Sequence, residues 1–152
     1  MDILLRFIAD GLLIIILAVS GGLTLWVIRR DSSRYLPVII MAGLSALLAG
    51  KLMSLVYQPD AARPFIEAGV AAGASYVNNP GFPSDHALLG TIAVITLWAV
   101  SPRYRSVAYV LGLLVIVMCI GRVVALVHTP LDVIGGAVAA IIGSLWYKKL
   151  TR

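Results

Sequence analysis

Runs of apolar residues, each closed by charge or by turn residues, dominate this chain. The first covers residues 11–28 and stops at Arg29-Arg30-Asp31; the second covers 35–59 and contains one charge, Lys51. The third, 87–102, ends in Ser101-Pro102-Arg103-Tyr104-Arg105. The fourth, 106–127, is interrupted by Arg122, and the fifth, 133–147, stops at Lys148-Lys149. Crossing a hydrocarbon core of ~30 Å takes roughly 17–25 helical residues, so the shorter runs reach across only with their polar ends in the interface. Strands of a membrane barrel would be about 10 residues long and alternate in polarity, which these runs do not. The pattern predicts an all-α membrane bundle of five transmembrane helices, one domain over residues 1–152.

Composition sharpens this picture. Of 152 residues 61% are apolar and 12% charged, with a mean hydropathy of +0.99, against about 45–50% and about 25% in soluble domains. That excludes an ordinary soluble globule, a disordered tail and a fibrous repeat. A single cysteine, Cys119, excludes a disulfide framework and a Cys-based zinc site. The net charge of +5 reads as topology, with no nucleic-acid partner. Arg29, Arg30 and Arg34 lie in the first loop, Arg103 and Arg105 in the third, and Lys148, Lys149 and Arg152 at the C-terminus. Five alternating helices put all three clusters on one side, which the positive-inside rule makes cytoplasmic. The start does not read as a cleavable signal, because Arg29-Arg30 follows the apolar run.

The remaining ionisable residues are expected to gather at the opposite side. Beyond the extreme N-terminus these are Lys51, Asp60, Arg63, Glu67, Asp85, His86, Arg122, His128 and Asp132. Ionisable groups at membrane helices are costly, and are functional or paired. Three cations, two histidines and an aspartate converging at helix ends point to an anion site. Pro83-Ser84-Asp85-His86 reads as a helix start, whose N–H groups favour an anion, or in which Ser84 simply caps the helix. In His128-Thr129-Pro130-Leu131-Asp132, Asp132 either closes a capping box with Thr129 or holds the His128 ring by an N–H. Arg122 either offers a guanidinium fork to phosphate or pairs with Asp132 or Asp85. A metal held by His86, His128, Asp132 and Asp85 is disfavoured by the neighbouring cations. The loop between the second and third helices is the long one, and its stretch 65–77 is expected along the membrane surface. Gly135, Ala139 and Gly143 form a small-residue face for close helix packing.

Arg63-Pro64, then Pro83-Ser84-Asp85-His86, then Arg122-x5-His128-x3-Asp132 resemble the three signature motifs of the type 2 phosphatidic acid phosphatase superfamily, a group of lipid phosphatases and related haloperoxidases. The third motif has the family's spacing, the second is close, and the first is partial. Phe82-Pro83-Ser84-Asp85-His86 and His128-Thr129-Pro130-Leu131-Asp132-Val133 are similar to the bacterial undecaprenyl-diphosphate phosphatase branch.

The resemblance implies a membrane lipid phosphatase without metal or other cofactor. His128 would be the nucleophile, forming a phosphohistidine, with Asp132 orienting it. His86 would protonate the leaving oxygen and then activate water. Lys51, Arg63, Ser84 and Arg122 would hold the phosphate, with Asp85 beside them. The implied partners are membrane lipids and a polyprenyl or glycerolipid phosphate substrate. The implied place is the bacterial cytoplasmic membrane, with the site facing outward and the C-terminus in the cytoplasm. Eleven residues separate Lys51 from Arg63 where the family has six, Gly121 replaces a serine, and five helices stand where six are common. A shortened bundle of this kind leaves room for a homo-oligomer that completes it. The runner-up substrates are phosphatidic acid and phosphatidylglycerol phosphate, and a separate class is a non-catalytic lipid-binding protein.

Overall fold

The computed structural model describes residues 3–29, 32–58 and 62–150. Arg30, Asp31, Pro59, Asp60 and Arg152 therefore lie outside the described residues. Five long helices form the bundle. Helix α1 runs Ile3–Ile28 with a π-helical turn at Phe7–Gly11, and α2 is Ser32–Val56. Helix α3 is Asp85–Val100, α4 is Arg105–Val124 after a 3₁₀ turn at Pro102–Tyr104, and α5 is Pro130–Ser144, continued as 3₁₀ turns over Leu145–Leu150. Among the described residues there is no strand. The expected all-α membrane bundle is what the chain forms.

Four of the five helices are long and apolar enough to cross a membrane, and the fifth, α3, has 16 residues. At 1.5 Å per residue α3 spans about 24 Å, short of a full hydrocarbon core. Its place explains this. Helix α3 is central, with α1 and α4 packed on one side and α2 and α5 on the other, so its ends meet protein. The outer flanks of the other helices are apolar, as lipid requires: Ile14 and Leu55 are each 71% exposed.

Small residues allow the close approaches. A Cβ at Gly136 would collide with the Ser84 carbonyl oxygen, and one at Gly143 with that of Ala42. The face of Gly135, Ala139 and Gly143 thus packs within the chain, Gly135 against Phe82 and Gly143 against Ala42 and Ala46 of α2. One apolar cluster joins Leu12 and Ile16 to Leu97, Leu111, Val115 and Met118; another joins Ala42 and Ala46 to Leu88, Ile92, Ala139 and Ala140. Some buried polar groups pair across helices, as where the Thr96 and Tyr147 hydroxyls lie 2.6 Å apart.

The two ends of the bundle differ. At the first, Arg34 donates to the Leu150 carbonyl at 3.3 Å, and Trp26 meets Tyr104 edge-on, which brings the three basic regions together. Cations lie over rings there: Arg29 over Trp26, Arg105 over Trp98 and Lys149 over Trp146. At the other end the segment 62–84 closes the bundle. Stretch 65–77, expected along the membrane surface, is largely exposed but anchored to the bundle at two buried residues. Helical structure stops after one turn, Pro64–Glu67, and Phe65 and Ala74 are buried against Ala9, Ala125 and Val127. Its backbone bonds to α4's end, Phe65 N–H to the Leu126 carbonyl and Gly73 N–H to that of Ala125, both at 3.0 Å.

One boundary departs from expectation. The first apolar run starts at residue 11, yet α1 already includes Ile3, Arg6 and Asp10. Helical hydrogen bonding carries on past two charges because both lie at the helix end, where side chains reach polar surroundings.

Candidate active site

The site is built where α3, α4, α5 and segment 62–84 meet. Helix α5 begins with Thr129 in extended conformation and Pro130 in the first turn, where its missing N–H is no loss. The two readings of Asp132 both hold at once. Its Oδ2 accepts from Thr129 N–H at 2.8 Å, while the Thr129 hydroxyl accepts from Asp132 N–H at 3.2 Å, a closed capping box. The same Oδ2 lies 3.3 Å from Nδ1 of His128. A carboxylate only accepts, so Nδ1 carries the proton and Nε2 keeps its lone pair. Helix capping and imidazole orientation are one structure here.

His128 sits on a constrained turn. Leu126 just before it has φ of 58°, a left-handed conformation that costs a non-glycine residue about 1–2 kcal/mol. Contacts to residues 125–127 hold it. Arg63 donates from Nη1 to the Val127 carbonyl at 2.5 Å, from Nη2 to the Val77 carbonyl at 3.0 Å and to Asn79 Oδ1 at 2.6 Å, and from Nε to the Asn79 carbonyl at 3.1 Å. Its guanidinium is thus spent almost wholly on protein acceptors. Burial pulls its pKa below the ordinary arginine value, with Asp132, Tyr76 and Asp85 opposing. The His128 pKa lies below the usual 6.5, first because burial disfavours the imidazolium. Asp132 opposes that shift, and the charges of Arg122 and Arg63 add to it.

A cavity of about 220 Å³ opens beside these groups, lined among others by Arg63, Asp85, His86, Arg122 and His128. Five of the eight expected residues therefore line one cavity, with Asp132 bonded to His128. Ser84 takes the N-cap backbone conformation of α3, but its hydroxyl makes no cap bond; it is fully buried and partnerless among the described residues. Its amide donates to the Asp132 carbonyl at 2.9 Å, which ties α3's start to α5's. Lys51 is not brought to this cavity. It is exposed, and it lines a neighbouring cavity of about 230 Å³ with Asp85, Asn79 and Pro83. The added residues between Lys51 and Arg63 leave the lysine on α2, outside the site that Arg63 borders.

Arg122 pairs with neither Asp132 nor Asp85. Its carboxylate is Asp10 of α1, bonded to Nη1. Asp10 also lies 3.7 Å from His86 Nε2 and accepts from Ser75 N–H at 2.9 Å. No reading of the motifs includes Asp10, because it stands near the chain start. Its signal was an acid set between Ile8-Ala9 and Gly11-Leu12, a cost that asks for a partner. Among the described residues no group of three His, Cys, Asp or Glu side chains is placed to hold a metal ion.

A family model of the PAP2 superfamily matches residues 13–152. The chain belongs to that superfamily. The match takes in α2 to α5 and every motif residue from Lys51 to Asp132, and leaves Asp10 outside. No curated protein and no solved structure matches the chain. Membership in the superfamily supports a membrane lipid phosphatase, a hydrolase in general terms.

Proposed function

We propose that the protein removes the terminal phosphate of undecaprenyl diphosphate at the outer face of a bacterial cytoplasmic membrane. The observation that carries the chemistry is that His128, held by Asp132, lines one small cavity together with Arg122 and His86. Nε2 of His128 attacks the terminal phosphorus, and the bond from phosphorus to the bridging oxygen breaks. His86 gives that oxygen a proton, so the lipid leaves as a monophosphate. His86 then takes a proton from water, whose oxygen attacks the phosphohistidine. The P–N bond breaks, releasing inorganic phosphate and neutral His128. Phosphoryl transfer depends chiefly on positioning and charge stabilisation, which Arg122 and the α3 N-terminus supply without further groups.

The cavity's size supports a headgroup site, with the lipid tail remaining among the apolar helix flanks. The choice of the isoprenoid rests on the similarity of residues 82–86 and 128–133 to that branch, and the outward site on the basic end lying opposite. Phosphate release by purified protein in detergent containing EDTA tests this. Undecaprenyl diphosphate is expected to turn over faster than phosphatidic acid or phosphatidylglycerol phosphate. Preference for a glycerolipid would keep the chemistry and replace the substrate. Release from no lipid by folded protein would leave a lipid-binding protein without turnover.

A further inference from the structure

Asp10 is a carboxylate to which the mechanism gives no task. Its two oxygens touch three segments: Oδ1 bonds Arg122 Nη1 of α4 and lies 3.7 Å from His86 Nε2 of α3, while Oδ2 takes the Ser75 N–H of segment 62–84. The π-helical turn Phe7–Gly11 adds a residue to the turn that carries it, a device that recurs at functional positions because it re-aims a side chain without ending the helix.

Two roles compete for such a contact. One is charge neutralisation of a buried arginine; the other is aiming that arginine at a ligand. Arg122 is 2% exposed, so it needs a counter-charge in either case. An arginine kept only for packing has its donors satisfied, yet Arg122 Nε is buried without a partner among the described residues. Arg122 also lines the cavity beside His128, whereas Asp10 lines a separate one, with Arg6, Phe7 and Ser75. Asp10 thus stands behind the guanidinium and leaves its other edge unclaimed. Arg63, the other buried cation, has no comparable edge left.

We propose that Asp10 is a positioning residue, which fixes Arg122 through Nη1 so that the Nε edge meets a phosphate oxygen of the substrate. This rests on the phosphatase reading of the same site. It gives the N-terminal turn, outside the matched residues, a part in substrate binding.

The test is binding of inorganic phosphate to the full chain in detergent, by calorimetry, with lipid turnover measured in parallel. Asp10→Ala is expected to weaken phosphate binding about tenfold and to raise KM more than it lowers kcat, roughly one lost charge-assisted contact. Asp10→Asn, whose amide oxygen still accepts from Nη1, is expected to stay within about threefold. In an Arg122→Ala background, Asp10→Ala is expected to add nothing, since residues acting through one another are not additive. Asp10→Glu keeps the charge but displaces it by a methylene, and weakened binding in that folded variant supports the role should the alanine variant not fold. Unchanged binding in Asp10→Ala or Asp10→Glu, or losses that add in the double variant, would overturn it. Phosphate binding that behaves as expected while no lipid is hydrolysed would instead overturn the phosphatase reading alone.

Discussion

The two ends of the bundle carry the same residue types and use them oppositely. At the basic end Arg29, Arg103, Arg105 and Lys149 are exposed and lie over aromatic rings. At the other end Arg63 and Arg122 are 6% and 2% exposed and each is tied to fixed acceptors. Exposed pairs are worth little and position nothing. Buried cations hold geometry, and each must be matched by a partner on another segment. The comparison teaches where to look for function in a protein whose cations number only 12: in those the fold has taken out of water.

Substitutions can break or sharpen this contrast. The largest effect is expected at Arg122: Arg122→Ala should lower kcat/KM by about 10²–10³-fold, the usual cost of removing a preorganised charge from a transition state. Assay of the lipid phosphatase reaction checks this. Arg63→Ala acts on the fold. Three of its four hydrogen bonds tie segment 62–84 to itself and the fourth joins it to the turn before His128, so a stability loss of about 3 kcal/mol is expected, read as a fall in Tm. A variant that kept its Tm and lost only substrate affinity would place Arg63 with Arg122, as a ligand for phosphate.

The third expectation concerns pH. The nucleophile must be neutral, and the free His128 pKa lies below 6.5 through burial and the nearby arginines. Protons compete with the reaction only below that lowered value, so the acid limb of kcat/KM should fall below pH 6.5. An acid limb above 6.5 would show that Asp132 outweighs burial. The smallest effect belongs to the basic end, where Lys149→Ala should move Tm by less than about 1 °C and activity by less than about twofold.

Much of this was legible in the chain. The apolar runs placed five helices, and charge clusters sorted the loops to one end, because in a membrane these terms are large. The motif Arg122-x5-His128-x3-Asp132 holds two residues that line the cavity and the aspartate bonded to one of them, since helix ends fix local geometry. What lay beyond reach depends on non-local packing. Asp10 joins Arg122 across 112 positions, and no local spacing encodes that. Arg63 resembled a phosphate ligand by its motif, yet most of its donors are taken by Val77, Asn79 and Val127, acceptors that only the folded chain brings to it. Ser84 had two readings, cap or ligand, and its hydroxyl neither caps the helix nor borders the cavity.

The central claim is that His128 carries the phosphoryl group. Its most direct measurement is alkaline quenching of the protein during turnover of a lipid substrate labelled in its terminal phosphate, since phosphohistidine survives base and is lost in acid. The account predicts acid-labile label in the wild-type chain and none in His128→Ala. Label that persists in folded His128→Ala protein would contradict it.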